Sequence, residues 1–333
     1  PIQDAEGNSA FYRPDNDNPY WLARFAPHTS VVDRYYGKIS VGYDLAEWLT
    51  VQYQAGFNAY TDRRLNVIPA GSTNWPVGLM TEDDIARTEI DGNLLLTANK
   101  NLTPKIGLKV IAGHNANQRT IDRQSFQGTG IIVRGIDDMD NLQTVIPNGG
   151  DFSKVRYQAV FADVGLSYDQ WAFLNLVGRN DWHSGLPADE RSFFYPGVSG
   201  SLVLTDALNL ESDLLNFVKI RAGLATSGND LEPYLTQTVF LTNSGLGNNI
   251  ANIDFPFRNN NAQGLSNRIG NENLQPEFTT EFEVGTEMRL LDNRIGIDFT
   301  YYDRRTTDQI VPIDISPSTG YWTAIANIGQ VSN

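Results

Sequence analysis

The run from Leu49 to Ala59 constrains this chain more than any other feature. Leu49, Val51, Tyr53, Ala55, Phe57 and Ala59 alternate with Thr50, Gln52, Gln54, Gly56 and Asn58. A period of two marks a strand with two unlike faces. Length matters as much: soluble strands run to about 5–6 residues, whereas a tilted strand crossing the hydrocarbon layer needs about 9–11.

The same alternation recurs in pairs joined by short links. Ile39, Val41 and Tyr43 lead through Leu45–Trp48 into the first run, and Asn93–Asn101 meets Lys105–Asn115 around Thr103–Pro104. Residues 155–168 and 171–181 are separated by Asp169–Gln170, and Glu277–Leu291 meets Arg294–Arg304 across Asp292–Asn293. Long polar connections lie between these hairpins, near 62–91, 116–154, 181–195 and 229–275. Short turns alternating with long extracellular loops are the pattern of outer-membrane barrels. Soluble domains seldom carry structureless loops beyond about 12–15 residues. The predicted fold class is therefore all-β, a transmembrane antiparallel β-barrel, with residues 1–333 as one part of the barrel domain. Helical signals are weak: Asp83–Arg87 and Asp206–Phe217 are expected to form single turns or short helices, with loop entering a strand as the equal alternative for Leu208–Phe217. The connection at 229–275 is expected to fold over the outer mouth or meet a partner.

Composition removes the competitors. The chain has 333 residues and is 41% hydrophobic, with a mean hydropathy of −0.33. No window approaches the ~18 apolar residues of a membrane helix. Barrel strands escape that test because lipid-facing and lumen-facing side chains average out. The 14 Tyr, 16 Phe and 6 Trp suit aromatic girdles at two membrane interfaces. The absence of Cys excludes disulfides, thiol catalysis and cysteine-ligated metals. A formal charge of −14 opposes nucleic-acid binding, because phosphates would be repelled. Pro1–Phe11 holds no basic stretch followed by an apolar core, so a processed chain or an internal piece is expected.

Motifs for chemistry are missing. His28, His114 and His183 are scattered and form no HExxH or other ligand spacing. Neither Ser184–Gly185 nor Ser199–Gly200 belongs to a nucleophile elbow, and Gly128–Gly130 and Gly149–Gly150 match no phosphate-binding loop. Asp15–Asn18 and Asp137–Asn141 offer oxygens that Ca²⁺ accepts, but lack the Gly and Glu positions of an EF-hand loop. They read as acidic turns. No enzyme, metal or cofactor is expected. The binding candidates are Glu281, Glu283, Glu287 and Arg289 as a charged lumen wall, and Trp75, Trp182, Tyr195 and Trp322 as strand-end or loop aromatics. Those aromatics suit either ligand stacking or anchoring at the membrane interface.

Several phrases resemble the SusC/RagA family of TonB-linked outer-membrane proteins, in that family's order. They are WAFLNLVGRNDWHSGLP at Trp171–Pro187, FFYPGVSGSLVL at Phe193–Leu204 and LLNFVKIRAGLATSGN at Leu214–Asn229. The most specific is GNENLQPEFTTEFEVGTEMRLLDNRIGIDFTYYDRRTTDQIV at Gly270–Val311, followed by STGYWTAIANIGQVSN to the end. The resemblance implies a barrel of about 22 strands with a plugged lumen, of which this chain supplies roughly half. It implies a plug domain and further strands on a longer polypeptide. It also implies a SusD-like lipoprotein lid, a TonB–ExbB–ExbD energising complex, and import of a glycan or peptide across the outer membrane. Two other readings remain: a porin-like or SusC-like barrel anchoring a larger envelope assembly, and a secreted soluble β-domain that binds carbohydrate.

Overall fold

The structure is a computed structural model that describes residues 2–11, 13, 15–210, 212–229, 232–242, 258, 260 and 263–333. Its strands are β1 (His28–Ala46), β2 (Leu49–Ile68), β3 (Leu79–Asn101), β4 (Ile106–Ile131), β5 (Leu142–Tyr168), β6 (Ala172–His183) and β7 (Ser192–Val203). They continue as β8 (Leu215–Gly228), β9 (Phe240–Thr242), β10 (Gln263–Leu265), β11 (Arg268–Ile269), β12 (Phe278–Leu290), β13 (Ile295–Asp314) and β14 (Thr323–Ser332). Two short helices are α1 (Pro19–Phe25) and α2 (Leu204–Ala207). Twelve strands form one sheet in the order β1-β2-β3-β4-β5-β6-β7-β8-β12-β13-β14-β11, and β9 pairs with β10 separately. Chain order is sheet order almost throughout, as an up-and-down barrel wall requires.

All four hairpins read from the sequence are present, and local chemistry explains their turns. Asp169 and Gln170 adopt φ 46° and 63°, the left-handed pair that a two-residue turn needs to follow strand twist. Trp171 N donates to Tyr168 O at 3.1 Å and closes the turn. The neighbouring turn is tied to it, since Asp169 N donates to Lys105 O at 2.7 Å and Lys105 Nζ lies 2.9 Å from Asp169 Oδ2.

The long connections are much shorter than the sequence suggests. β2 and β3 leave only residues 69–78 between them, not 62–91, and β4 and β5 leave only 132–141, not 116–154. The 181–195 connection contracts to 184–191. Asp83–Arg87 lies within β3; among the described residues of the other weak helical stretch α2 ends at Ala207 and β8 starts at Leu215, so Leu208–Phe217 is a connection entering a strand. The expected fold-over at 229–275 falls partly outside the described residues; its described parts include β9, β10 and β11. The physical reason is that these strand extensions carry charge on both faces. Arg63 and Arg64 are consecutive and so point to opposite faces; one lies 3.4 Å from Asp84, the other 2.7 Å from Asp62. Ion pairs between strands and along one strand replace apolar alternation, which removes the pattern by which a strand is recognised.

Contacts sort the chain into two compact units. The first comprises residues 1–39, 55–91 and 118–154. Its small apolar core is Val67, Met80 and Leu142, with Leu65, Ile131 and Met139 against it. The N-terminal segment is strapped onto the connections at 69–78 and 132–141. Asn18 caps α1 by accepting from Tyr20 N, and Trp21 is buried with its Nε1 donating to Gly7 O at 3.2 Å. Arg134 reaches Glu6 O at 2.9 Å and Asn8 Oδ1 at 2.8 Å. Asp17 Oδ2 accepts from Ser72 Oγ at 2.6 Å and Oδ1 from Thr73 N at 2.7 Å. Asp138 likewise accepts from Asp140 N, capping the turn at Met139–Asn141. These turn and cap roles occupy carboxylates of both Ca²⁺-compatible stretches.

Burial pushes the Asp17 carboxyl pKa up, but hydrogen bonds from Ser72, Thr73 and Ser9 outweigh it and hold the group below its ordinary range. A depressed carboxylate contributes stability that is present above its unfolded pKa and lost as pH falls through the folded one. We expect hydrogen exchange of residues 15–25 to accelerate only below the ordinary carboxylate range of about 3.9, and Asp17→Asn to remove that acid step. In the Asp169–Gln170 turn, Gln170→Gly is expected to stabilise the barrel by about 0.5–1 kcal/mol by relieving positive φ. Gln170→Val should cost about 1–2 kcal/mol. Both are read from urea-dependent folding into lipid vesicles.

Candidate functional site: the polar wall

Register in the second unit, residues 40–54, 92–117 and 155–333, separates two chemically distinct faces. One row across β5, β6, β7, β8 and β12 reads Val164, Leu176, Val198, Leu224, Phe282. Displaced by one residue, the next row reads Gly165, Asn175, Ser199, Gly223, Glu283. A step of one residue in a strand exchanges faces, so a greasy surface backs directly onto a polar one. On the apolar face Phe299 and Tyr301 of β13 lie beside Thr286 and Val284. Phe299 is 61% exposed, and Leu224, Phe282 and Ile297 are more than two-fifths exposed. A contiguous apolar surface of this kind is unstable in water and at home in lipid.

Three recesses on the polar face are lined by described residues. One, of about 630 Å³, lies toward the short turns and is lined by Asn101, Lys109, Ser167, Asn175, Ser201 and Arg221 among others. A second of about 380 Å³ is bounded by Val177, Arg179, Tyr195, Glu281 and Glu283. The third, about 290 Å³, lies at the long-connection end between Tyr157, Arg179, Asp181, His183, Phe193 and Asn229.

Arg179 borders the last two recesses and is held firmly. Its Nε donates to Asp181 Oδ1 at 2.7 Å and to Tyr195 Oη at 2.8 Å, and Tyr195 Oη donates to Asp181 Oδ2. The guanidinium carbon lies 5.7 Å from the Phe161 ring centre, within cation–π range. Two glycines make room for this assembly. A Cβ at Gly113 would collide with the Phe161 ring, and one at Gly228 would lie 2.6 Å from Phe193 Cε2. Phe193 in turn stacks with Tyr195 at 6.0 Å and meets Phe278 edge-on at 6.2 Å. Above it, Leu186, Leu235, Leu274 and Ile325 form a small buried cluster against which Phe193 and Ile310 pack. The connections at this end are thus anchored to the wall by apolar contact.

The expected charged residues share one face. Glu281, Glu283, Glu287 and Arg289 alternate with Phe282, Val284 and Met288 in β12, on the polar side. Arg304 Nε donates to Glu281, and Arg289 Nη2 lies 3.0 Å from Glu287 Oε1. The four aromatic candidates do not converge. Tyr195 is on the polar face within the Arg179 cluster. Trp182 pairs with Gln158 and Ser192 in the register of the apolar face, where interface anchoring is the fitting role. Trp322 immediately precedes β14 and donates N–H to Asn267 O at 2.8 Å; Trp75 belongs to the first unit. Sequence inspection missed Arg179, Asp181, Phe161 and Phe193. The signal was available: Arg179 and Asp181 are two apart in one strand, and folding the chain across Asp169–Gln170 sets Phe161 opposite Arg179.

A sheet with a lipid-compatible face, a charged and recessed opposite face, and short turns at one end defines the wall of a transmembrane β-barrel. The whole described chain fits one family model, TonB dependent receptor-like, beta-barrel, over residues 2–333. The chain belongs to that family, whose members are outer-membrane proteins. Among curated relatives, TonB-dependent receptor P3 of Formosa agariphila is 24% identical over 335 residues, covering 96% of this chain and 32% of that protein. TonB-dependent receptor P26 of the same organism is 25% identical over 186 residues, covering 55% of this chain and 18% of that protein. The chain therefore spans about a third or less of these relatives' length. The RagAB peptide transporter superposes with a TM-score of 0.80 at 19% identity, over 99% of this chain and 37% of that one. The ferric-catecholate receptor Fiu of E. coli K12 gives 0.53 at 12% identity, over 92% and 44%. At these identities the likeness is one of fold.

The two faces make opposite demands on substitution. Leu224→Arg should destabilise the barrel in lipid by about 2–4 kcal/mol, the cost of a cation near the bilayer midplane. Ser199→Arg, on the polar face, should change stability far less. Urea titration of the two variants in lipid vesicles makes the comparison.

Proposed function

We propose that this chain forms part of the barrel of a TonB-dependent importer that carries a bulky organic nutrient, a glycan or a peptide, across the outer membrane. The observation that carries the reading is the polar wall: a membrane-compatible sheet whose opposite face is charged, hydroxyl-rich and recessed along much of its length. Such a wall offers a hydrated route with fixed hydrogen-bonding groups. Membership of the TonB-dependent receptor family supports energised transport over passive diffusion. The phrases resembling the SusC/RagA family support a SusD-like lipoprotein as lid and TonB–ExbB–ExbD as the source of work. RagAB is a peptide transporter, which supports peptide as one of the two cargo classes.

The test is uptake by cells with and without the full-length gene, supplied with labelled oligosaccharides and oligopeptides. Import is expected to require the gene and to stop when TonB is deleted or the proton gradient is collapsed. The cargo class whose uptake disappears identifies the substrate. Uptake that persists without TonB would point to a passive pore, and unchanged uptake without the gene would point to an envelope anchor.

A further inference from the structure

One edge of Arg179 is left unused by the protein. Its Nε is committed to Asp181 and Tyr195, and the Phe161 ring lies against the guanidinium. The terminal nitrogens Nη1 and Nη2 donate to no described residue, although the side chain is only 28% exposed. Two parallel donors on a rigid plane match the two oxygens of a carboxylate. Because the brace already fixes the side chain, a ligand meeting that edge loses little of its binding energy to ordering the protein.

The surroundings indicate what carries the carboxylate. Tyr157, His183 and Phe193 contribute rings to the recess beside Arg179, whose volume is about 290 Å³. That suits a flat or apolar body of a few heavy groups. Asp181 offsets the charge of Arg179, so diffuse attraction for any small anion is weak. Recognition depends on the paired donors and on ring contact together. The recess lies at the end of the wall where the chain makes its longer connections, which is the extracellular end in a barrel of this class.

We propose that Arg179 anchors a ligand-binding subsite for a carboxylate borne on a ring or apolar body, which is the chemistry of a peptide carboxyl group or of a uronate in an acidic glycan. The proposal rests on the import reading and names a chemical requirement of its cargo. Tyr195 and Asp181 act as positioning residues that hold the guanidinium edge toward the recess.

The test uses the full-length transporter in detergent and two matched pairs of probes. One pair is a short aromatic peptide with a free terminal carboxyl group and its amide; the other is an oligogalacturonate and its methyl ester. Calorimetry should show the acid of at least one pair binding about tenfold to a hundredfold more tightly than its neutral partner. The pair that responds identifies the source of the carboxylate. Arg179→Gln and Arg179→Lys should bring the acid-to-neutral ratio close to one, the second because an ammonium keeps the charge but loses the fork. Tyr195→Phe retains the ring and removes the brace, and should give an intermediate ratio. Heat-dependent gel mobility confirms that each variant barrel is folded. Equal binding of acid and neutral probes in both pairs, or a preference that survives Arg179→Gln, overturns the proposal. TonB-independent uptake alongside an intact acid preference would instead overturn the import reading and leave the subsite standing.

Discussion

Inside a lipid bilayer no water is available to satisfy backbone N–H and C=O groups, and each unpaired group costs several kcal/mol. Everything else in this chain depends on that constraint. It forces each strand to hydrogen-bond along its membrane-spanning length to the next, so chain order becomes sheet order through β8. It also limits how loosely the connections can be built at membrane depth. The turn at Asp169–Gln170 adopts strained left-handed backbone at two non-glycine residues, and its tie to the Lys105 turn holds adjacent hairpins in step.

Once the ladders are fixed, the pleat does the rest. Side chains must alternate, so a single sequence writes two surfaces at once: Val164, Leu176, Val198, Leu224 and Phe282 on the apolar face, and Gly165, Asn175, Ser199, Gly223 and Glu283 on the polar one. The polar surface is not uniform. Lys109 and Arg221 with amide and hydroxyl side chains line the recess toward the short turns, whereas the ring cluster and the braced Arg179 sit toward the longer connections. Gly113 and Gly228 contribute by what they lack, giving Phe161 and Phe193 room to lie against neighbouring backbone. Shape and charge on the wall are therefore set by choices made several strands apart in the sequence.

The alternation and the turn residues made the barrel class, the four hairpins and the polar side of β12 legible without coordinates. Those features are local, each contained in a dozen or so neighbouring residues. Two kinds of information were not local. The strand extensions through Arg63, Arg64 and Asp83 look like polar loops because both faces are charged, and only pairing with another strand shows that they are β-structure. The Arg179 cluster assembles from β4, β5, β6, β7 and β8, and its membership depends on register that one strand alone does not specify. Tyr195 was singled out as an aromatic at a strand end; its bond to Asp181 and its contact with Arg179 became visible only when β6 and β7 were aligned.

The doubly polar extensions also bear on how such a protein can vary. At membrane depth, inserting one residue would invert every side chain beyond it and turn a lipid face into a charged one. In the strand extensions, where Arg63 and Arg64 point to opposite sides and both faces carry charge, the same insertion exchanges one polar surface for another. β5, with 27 residues, exceeds the ~9–11 needed for a crossing, so much of its length lies under this weaker rule. Length differences between relatives should therefore accumulate in the outer parts of β2 to β5 in single-residue steps, while the membrane-spanning parts hold their count. The portal that meets the outside world can be remodelled without disturbing the wall that holds it.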